Sequence, residues 1–505
     1  MADRIYLAVD LGTSFIKAGA YGLDGVCRVS ASEPVKGETR EGGVFLQHGE
    51  DLLQSACRCI RKVTDALGND VSSVRAVAFT GQMAGAMGID ENGSDVTTWS
   101  CSMDTRYLPW AEQQSRRFGD DIFAIGCTGA PLMCSKYAWF RDAFSEEHRR
   151  IAKYVMLPAF LIGRLSDTKA ADAMIDYSLV AWTGLADIKV GRWSEKLCAE
   201  MGIDIKHLPG IASSDTIGGT VNAAGSAMTG LPVGTPLVLG AGDKVCGCLG
   251  TGITHYGDMI FEASSYGAVS CLVPETRPDT DARCYDIICG LTAADRFVHK
   301  YIPCSGITTN WFIEHFFRDG GFDAADAEAM AVRPGSGKML TIGLLNGSAM
   351  PFDAFLRGAC MGIGYDTDRG TLYRSLVESF AYDLEWTLKS LRKYYPEYAW
   401  GRIKLIGGAA HSPLWQSVLA DVTGQIFDVV ERSDVAMLGA ALIAAKGVGD
   451  IASLQDAAEG LAPVSRSVVP DEGNHRTYEP YVKLYGEAVS ELHGLFERLN
   501  AIEEC

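Results

Sequence analysis

The residues best placed to do chemistry in this sequence are acids that close apolar runs. Asp10 ends the run Tyr6 to Val9, and after Leu11 come Gly12, Thr13 and Ser14. A tight turn between strands exposes successive backbone N–H groups, and the two hydroxyls add donors, so the turn can cradle an anion. An acid at the edge of that cradle can hold a hydrated Mg²⁺ beside phosphates. Asp243 ends a second run, Val238 and Leu239, after Gly240, Ala241 and Gly242. In α/β sheets reactive groups collect at the carboxyl ends of strands. A carboxylate there can accept a hydroxyl proton as that oxygen attacks phosphorus, late in the transfer because the hydroxyl is the weaker acid.

Two more strand ends carry polar residues. After Val74 to Gly81 come Gln82, suited to hydrogen-bonding a polyol, and Met83, suited to an apolar wall. After Arg402 to Ile406 come Gly407 and Gly408, which would let a flat ring approach the backbone, with Ser412 and Gln416 as polar partners. Taken singly, each stretch is equally an ordinary turn or strand junction. Together they are far more specific.

Other nucleotide motifs are excluded. A P-loop over Arg333 to Leu340 fails, because Val332 replaces its first glycine and Met339 its metal-binding hydroxyl. A dinucleotide fingerprint at Gly240 and Gly242 fails at Val245. The net charge of -18, without a basic block, argues against nucleic acid or an anionic membrane as the main partner. The 15 cysteines are scattered and form no C-x-x-C pair, so they read as buried thiols in a reducing compartment. The start lacks the pattern of a signal peptide, and the apolar runs are too short to span a bilayer. The expectation is a soluble, cytoplasmic protein.

These residues need strands that end together and helices that back them. Short β-rich runs (Val74 to Gly81, Pro236 to Gly242, Arg402 to Gly408) alternate with helical patterns (Glu50 to Leu67, Leu372 to Tyr394), which reads as α/β. The stretch from Glu479 has apolar residues at helical spacing and predicts a closing amphipathic helix. Near residue 250 a second β-rich stretch repeats the opening layout of apolar strand, small polar residues, apolar strand. The expected division is residues 1–250 and 251–505, a duplicated architecture.

On these motifs the chain resembles the FGGY carbohydrate kinases, of the superfamily of actin, hexokinase and the heat-shock chaperone ATPases. The likeness runs through D-L-G-T-S at Asp10, G-Q-M at Gly81, K-Y-A-W-F-R-D at Lys136, D-Y-S at Asp176, G-A-G-D at Gly240 and the paired glycines at Gly407. Within the family it is most similar to xylulokinases. The resemblance implies two actin-like (ribonuclease H-like) domains with an interdomain active-site cleft, and Mg·ATP-dependent phosphorylation of a sugar hydroxyl. D-xylulose is the default acceptor, with ribulose, erythritol, glycerol or gluconate as alternatives. A non-catalytic sugar- or nucleotide-binding regulator is the reading from another class. The resemblance implies Asp243 as catalytic base, Asp10 as the acid near Mg²⁺, and Gly12, Thr13 and Ser14 as the first phosphate loop. It implies Ser264 and Ser265 as the second phosphate loop, and Gly407, Gly408, Ala409 and Ser412 as the adenosine site. Gln82, Met83, Asp104, Arg106 and Lys244 fall at the sugar pocket. Homodimers are common in the family. The sequence departs from the xylulokinase pattern at Ala84 (usually His), Lys244 (usually Asn), Ala263 to Tyr266 (usually G-T-S-G) and Gly347 to Pro351 (usually containing G-E-R).

Overall fold

The structure is a computed structural model that describes residues 4–129, 132–264, 267–292, 294–302, 305–353 and 355–502. Two mixed sheets dominate it. The first takes strands β1 (Ile5–Leu11), β2 (Phe15–Tyr21), β3 (Cys27–Pro34), β4 (Val74–Gly81), β5 (Ile217–Thr220) and β6 (Pro236–Val238), in spatial order β5-β6-β4-β1-β2-β3. The second takes β7 (Met259–Ala263), β8 (Gly267–Val273), β9 (Asp286–Cys289), β10 (Arg296–Ile302), β11 (Arg402–Gly407), β12 (Ile426–Val429) and β13 (Arg466–Val468), in order β9-β10-β8-β7-β11-β12-β13.

The two sheets share one plan. In each, a leading strand (β1 or β7) pairs antiparallel with the next and parallel with a later one. A further parallel strand and then an antiparallel one complete that side. The repeat of strand, small residues and strand seen in the sequence near residue 250 is thus the start of a second copy of the sheet.

The leading strand β1 is apolar from Ile5 to Val9 because both its faces are covered. Helix α1 (Gly49–Leu67) packs across β2 and β3 with Leu52, Leu53, Ala56, Ile60 and Val63 turned inward at helical spacing. On the other face lies α3 (Val435–Gly447), apolar nearly all round, which follows β12 of the second sheet but packs on β1 and β4 of the first. It crosses α2 (Asp243–Gly250), whose other contacts include β8 of the second sheet. The crossing is close enough to demand glycine: a Cβ on Gly250 would stand 1.9 Å from the Val435 carbonyl oxygen, and one on Gly439 2.0 Å from that of Cys246. The two halves therefore interlock through a pair of helices.

The closing helix α4 (Glu472–Asn500) starts about two turns earlier than the apolar spacing suggests. Asp471 caps it by accepting from the backbone N–H of Asn474. Pro480 sits inside without ending it. The described cysteines are all free thiols, and all but Cys27 and Cys360 are buried. No helix among the described residues is long and apolar enough to cross a membrane.

Candidate functional site

The leading strands bring an acid to one equivalent position each. In the first sheet Leu11 pairs with the terminal glycine of β4, Gly81, and Asp10 precedes it. In the second sheet Ala263 pairs with the terminal glycine of β11, Gly407, and Glu262 precedes it. Asp10 and Glu262 are therefore structural counterparts, and both act electrostatically on Asp243, the first residue of α2. Asp10 also feels the charge of Glu262. Burial raises the Asp10 carboxyl above its ordinary value, with Lys17 and Lys244 drawing it down and Glu262 pushing it up. Burial pushes Asp243 to about 7, with Lys244 opposing and Glu262 and Asp10 adding to the rise.

A narrow pocket joins the ends of these strands, lined by Leu11, Thr80, Gly81, Gln82, Ala241 and Gly242 among others. The neighbours of both carboxylates thus share one cavity. Among the described residues nothing hydrogen-bonds or ion-pairs with the Asp10 carboxylate. Among the described residues, Asp243 receives only the backbone N–H of Lys244, at 2.8 Å.

The strand end that carries Asp243 is held from behind. Ser178 Oγ accepts from the Gly242 N–H at 2.9 Å and donates to Asp176, which also accepts from the Ser178 N–H at 2.9 Å and from Ser214 Oγ at 3.3 Å. Asp176 is buried, and burial raises its carboxyl to about 6 against the pull of these donors. The D-Y-S segment thus sets the entry to the helix that presents Asp243.

The polar residues beyond it divide between the pocket and its frame. Gln82 accepts from Trp99 Nε1 at 3.3 Å, which leaves its Nε2 buried and without a partner among the described residues, at the pocket wall. An unpaired buried amide donor is costly and calls for an occupant. Met83 is buried and lies over Gly242, where an added Cβ would meet its side chain at 2.6 Å. Asp104 is fully buried in a two-pronged pair with Arg106, at 2.7 and 2.8 Å, and that guanidinium lies 4.7 Å from the Trp139 ring centre. Lys136 fixes the same segment: its ammonium, fully buried, donates to the carbonyls of Ser100 and Cys101 at 2.8 and 2.7 Å and sits over the Tyr107 ring.

The turn after Asp10 carries Gly12, Thr13 and Ser14 between β1 and β2, partly exposed. Gln47 braces it by donating to the Thr13 carbonyl at 3.0 Å. On the second sheet Ser264 Oγ lies 3.3 Å from Lys244 Nζ. Ser265 and Tyr266 lie outside the described residues. Gly407 takes φ +82°, and a Cβ there would stand 2.3 Å from the Ala263 carbonyl oxygen, so only glycine fits. Gly408 and Ala409 follow in a short turn, and Ser412 caps the helix Pro413–Thr423 while donating to Asp326 at 2.5 Å. Gln416 donates to the Ala410 carbonyl at 2.9 Å and so is spent within that turn.

Lys244 is only 7% exposed and ion-pairs with Glu262 at 2.8 Å. Burial pushes its ammonium down, but Glu262 and Asp243 outweigh that and hold it above its ordinary value. It faces the second sheet and Ser264. Glu262 is the site residue that motif reading missed. Its signal was present in the repeated layout: an acid near the end of an apolar strand, followed by small residues. Among the described residues no cluster of three or more His, Cys, Asp or Glu side chains is arranged to hold a metal by itself.

Comparison with known proteins gives a consistent result. Residues 5–250 match the N-terminal domain, and residues 266–448 the C-terminal domain, of the FGGY family of carbohydrate kinases. A xylulose kinase of Staphylococcus epidermidis is 23% identical over 491 residues, covering 96% of each chain. An autoinducer-2 kinase of Enterobacter sp. is 25% identical over 516 residues, covering 97% of this chain and 95% of that one. The solved structure of a ligand-bound xylulose kinase from Lactobacillus acidophilus superposes with a TM-score of 0.89 at 19% identity, over 98% of this chain and 100% of that one.

Proposed function

The chain belongs to the FGGY family of carbohydrate kinases, an ATP-dependent sugar phosphotransferase of two α/β domains, and on that premise we propose its acceptor and the role of each site residue. The acceptor is a ketose, with D-xylulose first. The xylulose kinase relative supports that choice. Ribulose, erythritol, glycerol and gluconate are the alternatives, because Ala84 supplies no imidazole to the pocket. The domain division falls near residue 250, where the second copy of the sheet begins.

The observation that carries the reading is that Asp10 and Asp243 stand at strand ends whose neighbours line one pocket, with the Asp10 charge adding to the rise at Asp243. Asp243 is the base. The sugar hydroxyl hydrogen-bonds to its free carboxylate oxygen and gives up its proton there as the new oxygen–phosphorus bond forms. The bond from the γ-phosphorus to the bridging oxygen breaks, and ADP leaves with that electron pair. Asp10, whose carboxylate makes no bond to the other described residues, fits a hydrated Mg²⁺, which would offset phosphate charge when bound. Thr13 and Ser14 donate to phosphate from the first turn and Ser264 from the second. Gly407, Gly408, Ala409 and Ser412 seat the adenosine. Gln82 offers its unpaired amide to a sugar hydroxyl, Met83 walls the pocket, and the Asp104–Arg106 pair shapes its far side.

A screen of ADP release over pentuloses, hexuloses, polyols and aldonates tests this. The expected result is sugar-dependent ADP formation, strongest with D-xylulose. No stimulation by any acceptor would overturn it in favour of a binding protein without catalysis.

A further inference from the structure

Lys244 stands beside the catalytic acid yet reaches away from it. Its ammonium crosses from α2, behind the first sheet's β6, to the second sheet's leading strand, 2.8 Å from Glu262 Oε1 and 3.3 Å from Ser264 Oγ. It is therefore an interdomain ion pair set at the second phosphate turn, where the triphosphate must lie if the proposed function is right. The pair is buried on the lysine side, and Glu262 is 21% exposed.

The electrostatics make this arrangement unusual. Three carboxylates, Asp10, Asp243 and Glu262, surround the path of a polyanion. Without a cation, Glu262 would repel the transferring phosphoryl. Lys17 and Lys244 are the cations whose charge acts on Asp10, and Lys244 alone of the two also acts on Asp243. An ammonium carries three donors in a rotatable head. It can therefore exchange a carboxylate for a phosphate oxygen without moving its backbone.

We propose that Lys244 exchanges Glu262 for the γ-phosphoryl of ATP and neutralises it during transfer, with Glu262 holding the ammonium in register until nucleotide arrives. This rests on the kinase reading above and deepens it by assigning a γ-phosphate contact to a residue next to the base. Lys244 keeps its own protons throughout. The sugar proton still passes to Asp243, and ADP still leaves with the electrons of the broken bond. The exchange also changes what faces Asp243, since the ammonium that lowers its proton affinity moves with the phosphate. Ground-state ADP, which lacks the γ-group, should leave the Lys244–Glu262 pair intact.

The test is calorimetric binding of Mg·ATP and Mg·ADP, without sugar, to the wild type and to Lys244→Met, Glu262→Gln and the double variant. A charge-assisted hydrogen bond to phosphate is worth about a ten- to hundredfold change in affinity. Lys244→Met is expected to weaken ATP by about that factor while leaving ADP within about threefold. Glu262→Gln, which removes the competing carboxylate, is expected to bind ATP at least as tightly as the wild type. The double variant removes both charges, so it leaves no lone buried ion if Lys244→Met fails to fold, and it should show the same selective loss of ATP. An unchanged ratio of ATP to ADP affinity in the lysine variants overturns the proposal, while sugar-dependent ADP release by the wild type would leave the kinase reading standing. A wild type that binds neither nucleotide overturns both.

Discussion

Catalysis should depend on one proton at Asp243. Its carboxyl is buried at the first residue of α2, and burial, with Glu262 and Asp10 adding and Lys244 opposing, takes it from 3.8 to about 7. A general base works only when ionised. With an apparent value near 7, the ionised fraction is about 9% at pH 6 and about 91% at pH 8, so kcat/KM for the sugar at saturating ATP should rise about tenfold across that interval. The apparent value belongs to the carboxylate cluster and not to Asp243 alone. The assay is a coupled measurement of ADP release between pH 5.5 and 9, with the coupling enzymes in excess at every pH. Lys244→Met, by removing the opposing ammonium, should move the midpoint upward. The same shift has a consequence for stability with a definite sign. Between about 4 and 7 the folded protein holds this proton and the unfolded chain does not, so Asp243 makes the unfolding free energy fall as pH rises through that window. A kcat/KM profile flat from pH 5 to 8 would refute the reasoning, because it would show an ordinary ionised carboxylate at the start of α2.

Further expectations follow from neighbouring residues. Gln82→Ala removes a buried amide whose donor faces the pocket; the KM for sugar should rise about tenfold or more with ATP affinity unchanged, and equal sugar affinity would show that the amide faces no substrate. Gly439→Ala drives a Cβ into the Cys246 carbonyl at the helix crossing; a fall of about 1–3 kcal/mol in stability, read by thermal unfolding, is expected, and an unshifted Tm would contradict so close a crossing. Sugar together with a non-hydrolysable ATP analogue should close the cleft and exclude water; small-angle scattering should report a smaller radius of gyration, and an unchanged one would count against closure.

Much of this arrangement was legible from residue types. Asp10 and Asp243 announce themselves because an acid interrupts an apolar run, and strand ends are where α/β sheets gather chemistry. Val74–Gly81 could be delimited to the residue, since an apolar run that stops at glycine has few other solutions. The paired acid Glu262 was harder. It stands inside its strand's last turn of pleat, and only the register of β7 against β11 makes it the counterpart of Asp10. Lys244 was legible as a site residue but not in its direction. A lysine beside the base reads as a contact for the sugar until the strand of the other sheet supplies a carboxylate within reach. Gln416 looked like a ligand partner and proves to close its own turn, because side-chain bonds to nearby backbone are invisible to spacing. The interlock of α2 and α3 was also beyond spacing: Gly250 and Gly439 are far apart in sequence and unremarked in composition until the helices cross.

The central claim is that Asp243 takes the proton of the accepting hydroxyl in a cleft that holds ATP by other residues. A single-turnover measurement of γ-phosphate transfer from radiolabelled ATP to the sugar, in Asp243→Asn beside the wild type, with nucleotide affinity measured on the same samples, tests it most directly. The account predicts a rate lower by about 10²- to 10⁴-fold with ATP binding preserved. Transfer at the wild-type rate would contradict it.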